Sequence, residues 1–583
     1  MTSPADTPEL PTARRSRLAA ALALIALAVG PLLPTLRSAF IYDDTTIIRD
    51  NVLLRGWGAL THVWSQPYWP AEGVDALGLY RPLHIALLSV VWNAGGGSAR
   101  WMHVYALTLA AFVALALWWL LRRGAGAAAS LAAAAWFATH PLHVEAIASV
   151  ANSSELLVTL CTIALVWMLR QASARSADAL RDWARALAIG VLAAAALMSK
   201  ESGLLALPLA ALTAWGWRRD TPDTVPFLRA NARAWMASAI GIAAVLLARL
   251  VVLGAPVSHG SMAAQGIGSM SGPERVVAMV SLWPRVADML AWPSGLSPYY
   301  GPSIFPAQRA GFALLSVIII VALAALCVVA MRRGDRRPLV ALGWVVLTYL
   351  PASNLFAATG QILADRTLFG ATVGAAMAVA WALDRLPTFG RKVALVLLAL
   401  AIVRSSVVGF TYAVAWTSHR TLWARLAEVS PNEHLSYKLR GMDARARGDN
   451  AGAVVLLARA LAMAPTDRQI RFELGQAEYA SQRFAAAAKT LSPLLSDTDA
   501  RGEPAFVALY LDATGRAAGA GAVVRAATPL MRSESGRVAA LFAGTALEQL
   551  GQRDAADSAY SMGLRRAPGD SALAARLAAL RGR

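Results

Sequence analysis

The sequence predicts an all-α chain in two parts, a polytopic helical bundle in a membrane followed by a short α-solenoid. Three observations lead there. The 583 residues are 57% hydrophobic and only 15% charged, where a soluble protein carries about 25% charged residues. Apolar runs of about 20 residues recur, the length that crosses a hydrocarbon core of about 30 Å. Beyond residue 430 these runs give way to an Ala-rich helical pattern with a period of 34 or 35 residues.

In chain order, apolar segments fall at 18–38, 103–121, 125–139, 143–169, 183–198, 202–217, 234–254, 308–331, 338–352, 368–384 and 393–411, which makes about eleven spans. Segments 82–94 and 276–292 are shorter or more amphipathic and suit an interfacial or re-entrant position. Arg14, Arg15 and Arg17 precede the first run, as in a signal peptide. No small-residue cleavage site follows, so the run reads as a retained first helix.

Basic residues set the orientation. Arg14, Arg15 and Arg17 lie before the first span, and Arg122 and Arg123 follow the second. Arg170, Arg175 and Arg181 follow the fourth, Arg218 and Arg219 the sixth, and Arg332, Arg333, Arg336 and Arg337 the eighth. Arg385, Arg391 and Lys392 follow the tenth. All fall on one side. The expectation is a cytoplasmic tail at 1–17, a membrane domain at 18–411 with an external loop at 39–102, a linker at 412–433, and external repeats at 434–583. A bacterial inner membrane with a periplasmic outer face suits the composition; an endoplasmic-reticulum membrane is the counterpart in a eukaryotic source.

The net charge of +19 follows from this bias. No basic aromatic groove or finger motif points to nucleic acid. Cys161 and Cys327 sit inside apolar runs, which excludes a disulfide framework and a zinc site. No inverted repeat of broken helices points to a transporter.

In the C-terminal third, Gly441, Ala453, Ala460 and Pro465 form one set, and Gly475 and Ala487 recur 34 residues on. Gly544, Ala556, Tyr560 and Pro568 form a later one, while 502–536 is degenerate. Small residues where two helices cross and Pro at the exit are tetratricopeptide positions. Four helix pairs over 434–583 are expected, with a concave face for a peptide or protein partner.

The polar chemistry gathers on the outer side. Asp43 and Asp44, in Tyr42-Asp43-Asp44, stand just past the first span. Adjacent carboxylates there suit a base that deprotonates a hydroxyl. They are also candidate ligands for a divalent cation, Mg or Mn, held against a phosphate. In Thr139-His140-Pro141-Leu142-His143-Val144-Glu145, Pro141 suits a first helical turn. The expected helix runs from there to Arg170, with Glu145, Ser149 and Asn152 on one face and Glu155 nearby. His140, His143, Glu145 and Asn152 are candidate pocket-lining residues, and His140, His143 and Glu145 a second candidate metal set. Lys200 and Glu201 break two apolar runs on the same side. Lys200, with Arg81, Arg249 and Arg366, forms a set of cations suited to phosphate oxygens; Glu201 lines the same pocket.

The ordered set of motifs resembles the C-type glycosyltransferases that use polyprenyl-phosphate sugars. It is most similar to the transmembrane-plus-tetratricopeptide O-mannosyltransferase-like family and its bacterial relatives. The likeness is carried by Tyr42-Asp43-Asp44, Tyr80-Arg81-Pro82-Leu83, the stretch from His140 to Ala146, Ser199-Lys200-Glu201, the stretch from Trp292 to Tyr300, the stretch from Leu350 to Phe356, Asp365-Arg366-Thr367-Leu368-Phe369, and the stretch from Trp416 to Trp423. The resemblance implies inverting transfer of a sugar, mannose in the family, from a lipid-phosphate donor. It implies Asp43 as the base with Asp44 supporting it, and a Ser or Thr acceptor presented by the repeats. Where many relatives carry Arg or Lys, this chain has Asn152-Ser153-Ser154-Glu155. That leaves Arg81, Lys200, Arg249 and Arg366 to hold the donor phosphate. The competing class is a non-catalytic membrane anchor that displays the repeats as an assembly scaffold.

Overall fold

The computed structural model describes residues 11–69, 78–171, 179–218, 224–254, 266–497 and 501–582. Arg175, Arg219 and the first ten residues of the expected tail lie outside them. The chain divides into two compact units, 1–429 and 430–583. Among the described residues all regular elements are helical.

Among the described residues eight helices are long and apolar enough to cross a membrane: Arg14–Arg37, Ala99–Leu121, Val150–Arg170, Leu180–Ser199, Ala232–Leu253, Arg309–Arg332, Asp365–Arg385 and Thr388–Ala415. The other three expected spans are short helices, Ala127–Ala138, Ala206–Gly216 and Arg337–Tyr349, of 12, 11 and 13 residues. At 1.5 Å per residue these reach only about 16–20 Å. Two of them continue into 3-10 turns, Glu201–Leu205 and Leu350–Ala352, at the end of the bundle where the polar motifs lie.

The long helix expected from 143 to 170 is broken. His143–Ala148 is helical, Ser149 is extended at φ −96° and ψ 102°, Val150–Asn152 is a 3-10 turn, and Ser154–Arg170 resumes the helix. Ser and Asn side chains compete with the helical ladder, and Asp44 takes the backbone groups the break frees. Segment 82–94 is a single helix, and 276–292 falls within two short amphipathic ones, Gly272–Val280 and Trp283–Ala291.

Helix Ala99–Leu121 occupies the centre, packed against Pro11–Val29, Ala127–Ala138 and Ser154–Arg170. It buries Met102, Val113, Leu117 and Leu120. Helices Ala179–Ser199 and Ala232–Leu253 approach so closely that a Cβ on Gly241 would stand 2.8 Å from the Gly190 carbonyl, the small-residue packing of membrane helices. Ile240, Leu247, Ile318, Val321, Leu400 and Val403 are exposed. Such a surface is at home only against lipid.

The basic clusters meet at the end of the bundle remote from the polar motifs. Arg170 donates to the carbonyl of Trp217, and Arg337 to that of Gly124 at 2.7 Å. The expected linker is itself structured. Helix His419–Val429 buries Leu422 and Leu426 at an i, i+4 spacing and belongs to the first unit.

The second unit is four helix pairs, His434–Ala446 with Asn450–Met463, Arg468–Ala480 with Phe484–Leu491, Pro504–Ala518 with Ala520–Leu530, and Gly536–Gln549 with Arg553–Arg566, followed by Ser571–Arg581. The crossing glycines are required sterically. A Cβ at Gly441, Gly475 or Gly544 would lie 2.6, 2.6 or 2.3 Å from Leu457, Leu491 or Tyr560. In the degenerate third pair the period places Leu509 or Tyr510 instead.

Candidate active site

The first span closes in a 3-10 turn, Gly30–Arg37, carrying Pro31 and Pro34. Five residues on, Tyr42 adopts the left-handed conformation at φ +54°, which costs a bulky residue about 1–2 kcal/mol. Its surroundings hold it there. The Tyr42 N–H donates to His419 Nε2 at 3.3 Å, and its ring meets Trp416 and Trp423 edge-on with centroids 6.0 and 6.1 Å away. The Thr45 hydroxyl donates to the Tyr42 carbonyl at 2.7 Å. The turn sends the two neighbouring carboxylates to different partners.

Asp44 is fully buried and tied to the helix break. It accepts from the Ser149 hydroxyl at 3.1 Å, the Val150 N–H at 3.0 Å and the Ala151 N–H at 2.8 Å. Burial pushes its carboxyl up to about 7, against the pull of these three donors. With its oxygens so engaged, Asp44 anchors the first loop to the broken helix.

Asp43 is partly exposed. The charges acting on it are the guanidiniums of Arg366 and Arg81, and the Asn152 side chain hydrogen-bonds to it. Burial raises its carboxyl above the ordinary range, against the pull of these groups. Such a carboxylate is a stronger base than a free one.

All four expected phosphate-binding cations are present, and each is held by a carboxylate. Arg366 pairs with Glu145, which also accepts the Arg366 backbone N–H at 2.9 Å. The adjoining Asp365 accepts from Tyr300 at 2.6 Å and Tyr412 at 3.0 Å, which fixes the turn presenting Arg366. Arg81 donates from Nε and Nη2 to one oxygen of Glu201, at 3.0 and 2.7 Å, and lies 4.6 Å above the Tyr68 ring. Arg249 stands 3.6 Å from the other Glu201 oxygen and donates to the Gly78 carbonyl at 2.5 Å. Lys200 pairs with Glu155. Burial lowers the Lys200 ammonium, with Glu155 opposing. Burial works against the Glu201 carboxylate, but Arg81, the Glu201 backbone N–H and Lys200 together hold it below its usual value. Four cations thus face Glu145, Glu155 and Glu201, and two of them, Arg366 and Arg81, also act on Asp43.

His140 and His143 do not line this pocket. Both are buried; His140 Nε2 lies 3.1 Å from the Leu290 carbonyl and His143 Nε2 2.8 Å from the Thr372 hydroxyl. Their rings pack on Trp136, Phe137 and Phe369. They join distant segments of the bundle, and Glu145, the third member of that candidate set, is paired with Arg366. Glu145 is enclosed behind Arg366. Asn152 does stand at the site, between Asp43 and the Ser149 hydroxyl, to which it donates at 3.0 Å. Among the described residues, no group of three or more His, Cys, Asp or Glu is placed to hold a metal ion. Asp43 beside two guanidiniums, with Asp44 engaged elsewhere, is a donor set that does not fit a resident divalent cation.

Sequence reasoning missed Tyr68, whose hydroxyl donates to the Ala151 carbonyl at 2.8 Å beneath Arg81. It also missed Gly203. A Cβ there would stand 2.1 Å from the Ala196 carbonyl, so only glycine lets the turn bearing Lys200 and Glu201 fold back on its helix. The glycine directly after Ser199-Lys200-Glu201-Ser202 was the available signal.

The repeat unit has its own groove of about 800 Å³, lined among others by Leu511, Arg516, Val523, Phe542, Thr545 and Arg576.

Residues 444–509 match the tetratricopeptide repeat family. The chain is 33% identical over 191 residues to protein O-mannosyl-transferase Tmtc2 of Drosophila melanogaster, covering 31% of this chain and 20% of that protein. The chain is thus similar to proteins named protein O-mannosyl-transferases. Drosophila protein O-mannosyl-transferase Tmtc3 is 25% identical over 60% of this chain and 44% of its own length. Human protein O-mannosyl-transferase TMTC3 is 23% identical over 67% of this chain and 46% of its own. The chain thus spans less than half the length of these curated relatives.

Proposed function

We propose that the protein is a membrane glycosyltransferase that moves a mannosyl residue from a polyprenyl-phosphate carrier to a Ser or Thr hydroxyl of a protein. The observation that carries this reading is the Asp43 carboxylate, raised in basicity and flanked by Arg366 and Arg81. The homologues' names supply the sugar and the protein acceptor.

In the step this arrangement supports, the acceptor oxygen attacks the anomeric carbon as Asp43 takes its proton. The bond from that carbon to the phosphate oxygen breaks, and the lipid phosphate leaves with the electron pair. A single displacement inverts the anomeric centre. A guanidinium has five N–H donors, so Arg81 and Arg366 have donors beyond those given to their glutamates. They and Lys200 stabilise the leaving phosphate, with Arg249 holding Glu201 in place. Their glutamate partners fix the cations before the donor arrives. The reaction is read as needing no resident cation.

The meeting of the basic clusters at the remote end supports a cytoplasmic N-terminus and an external Asp43; a bacterial inner membrane with the repeats in the periplasm is proposed on composition alone. The repeat groove is the proposed acceptor-binding face. Hexose transfer from a radiolabelled polyprenyl-phosphate donor to a Ser/Thr-rich peptide tests the reading. Wild type transfers; Asp43→Asn does not.

A further inference from the structure

At the end of the bundle remote from Asp43 the ends of four helices border a second polar cleft, open to the surface, of about 430 Å³. It is lined by Arg218, Arg333, Asp335, Arg337, Asp384 and Arg385. Helix Phe369–Arg385 separates it from Arg366 by 17 residues, about 25 Å of rise, so it belongs to neither the catalytic step nor the donor cations.

The cleft has a rigid floor. Arg337 is buried and forks onto Asp335, both bonds 2.9 Å long. Its Nη1 reaches Asp384 at 3.0 Å. Asp335 also accepts from the Trp381 indole at 2.8 Å and pairs with Arg385. Asp384 in turn accepts the Gly126 N–H at 3.1 Å. Two aspartates therefore fix two of the arginines. Among the described lining residues four arginines face two aspartates, so arginine outnumbers aspartate. Arg333 is exposed, and among the described residues it has no ion-pair partner.

Orientation bias explains why basic residues collect at this end. It does not explain aspartates placed to hold arginines in position around an open cleft. The volume lies within the range of small-molecule sites, about 300–1,000 Å³, and guanidiniums match phosphate oxygens. Arg336 over Trp215 at 4.1 Å, and Arg122 and Arg123 over Trp118 and Trp119 at 5.3 and 4.9 Å, place this end at headgroup depth.

We infer that this cleft binds a phosphate-bearing anion, either the headgroup of an anionic lipid or a soluble phosphate, on the face opposite the catalytic carboxylate.

The test uses the full chain in nanodiscs of phosphatidylcholine with or without phosphatidylglycerol. Bound lipid is counted by native mass spectrometry, and inorganic phosphate is titrated separately by thermal shift. Variants are Arg333→Gln and Arg218→Gln, with Lys392→Gln as a same-end control outside the cleft. Selective retention of phosphatidylglycerol, reduced about tenfold by Arg333→Gln or Arg218→Gln and unchanged by Lys392→Gln, establishes a headgroup site. A phosphate-induced shift with the same dependence, and no lipid selectivity, establishes a soluble ligand. No preference for either anion over phosphatidylcholine, or equal loss with Lys392→Gln, overturns the inference.

Discussion

The two adjacent aspartates have different roles, and Asp44→Asn separates them. In the native site Asp44 receives three donors, the Ser149 hydroxyl and the N–H groups of Val150 and Ala151, at 2.8–3.1 Å. Asparagine keeps one acceptor oxygen and turns an NH₂ toward at least one of those donors. The change removes a hydrogen bond to a charged group, about 1.5–3 kcal/mol, and leaves a buried N–H without a partner, about 1–3 kcal/mol. Relaxation of the loop recovers part of this, so the local cost is about 2–4 kcal/mol. At about 1.4 kcal/mol per tenfold, the amides of Val150 and Ala151 should exchange with solvent roughly 30-fold to several-hundred-fold faster. Hydrogen-exchange mass spectrometry on peptides covering 145–155 reads this directly. Asp43→Asn touches neither amide and should change the same peptides by less than about tenfold. Equal acceleration in the two variants, or none in Asp44→Asn, would refute the assignment of Asp44 as the anchor.

Further outcomes follow from the same geometry. Burial raises the Asp43 carboxyl, so the base is lost as pH falls through that raised value. Transfer rate should show an acid limb above the ordinary aspartate value of about 3.9. Arg81 opposes that rise, so Arg81→Gln should move the limb to higher pH while Arg81→Lys holds it nearer its place; a limb that stays fixed in both disconnects it from Asp43. Gly203→Ala forces the turn carrying Glu201 away from Ala196, and transfer should drop about 10²-fold in a protein that still elutes as folded. Normal rates there would show that the turn does not position Arg81. EDTA should leave transfer within about twofold of its untreated rate, and restoration of a lost rate by added magnesium or manganese would contradict the metal-free reading.

The features legible in the sequence were those set by local spacing. The 34-residue recurrence of Gly441 and Gly475 announces a helix crossing because only a hydrogen fits against Leu457 and Leu491. Tyr42-Asp43-Asp44 stood out because charge beside a membrane span is costly. The break at Ser149 was not legible. Hydropathy sees a continuous apolar run, while the cause lies about 105 residues away in the Asp44 carboxylate. The same holds for the cations: Arg81, Lys200, Arg249 and Arg366 could be chosen by residue type, but their pairing with Glu201, Glu155 and Glu145 is a property of the packed bundle. His140 and His143 misled because polar residues at a helix start suggest a ligand set. The Nε2 atom of each is engaged, by Leu290 and Thr372 respectively, on segments far along the chain. The helices near 132, 211 and 343 are shorter than their apolar runs; for the last two, composition does not report where the helix yields to a 3-10 turn.

The most direct measurement is single-turnover transfer of hexose from polyprenyl-phosphate to a Ser/Thr peptide, wild type beside Asp43→Asn and Asp44→Asn in the same detergent. The account predicts transfer by wild type, none by Asp43→Asn despite native exchange at Val150 and Ala151, and a reduced rate in Asp44→Asn that tracks its loosened loop. Transfer by Asp43→Asn at the wild-type rate would contradict it, and absence of transfer in all three would return the protein to the scaffold reading.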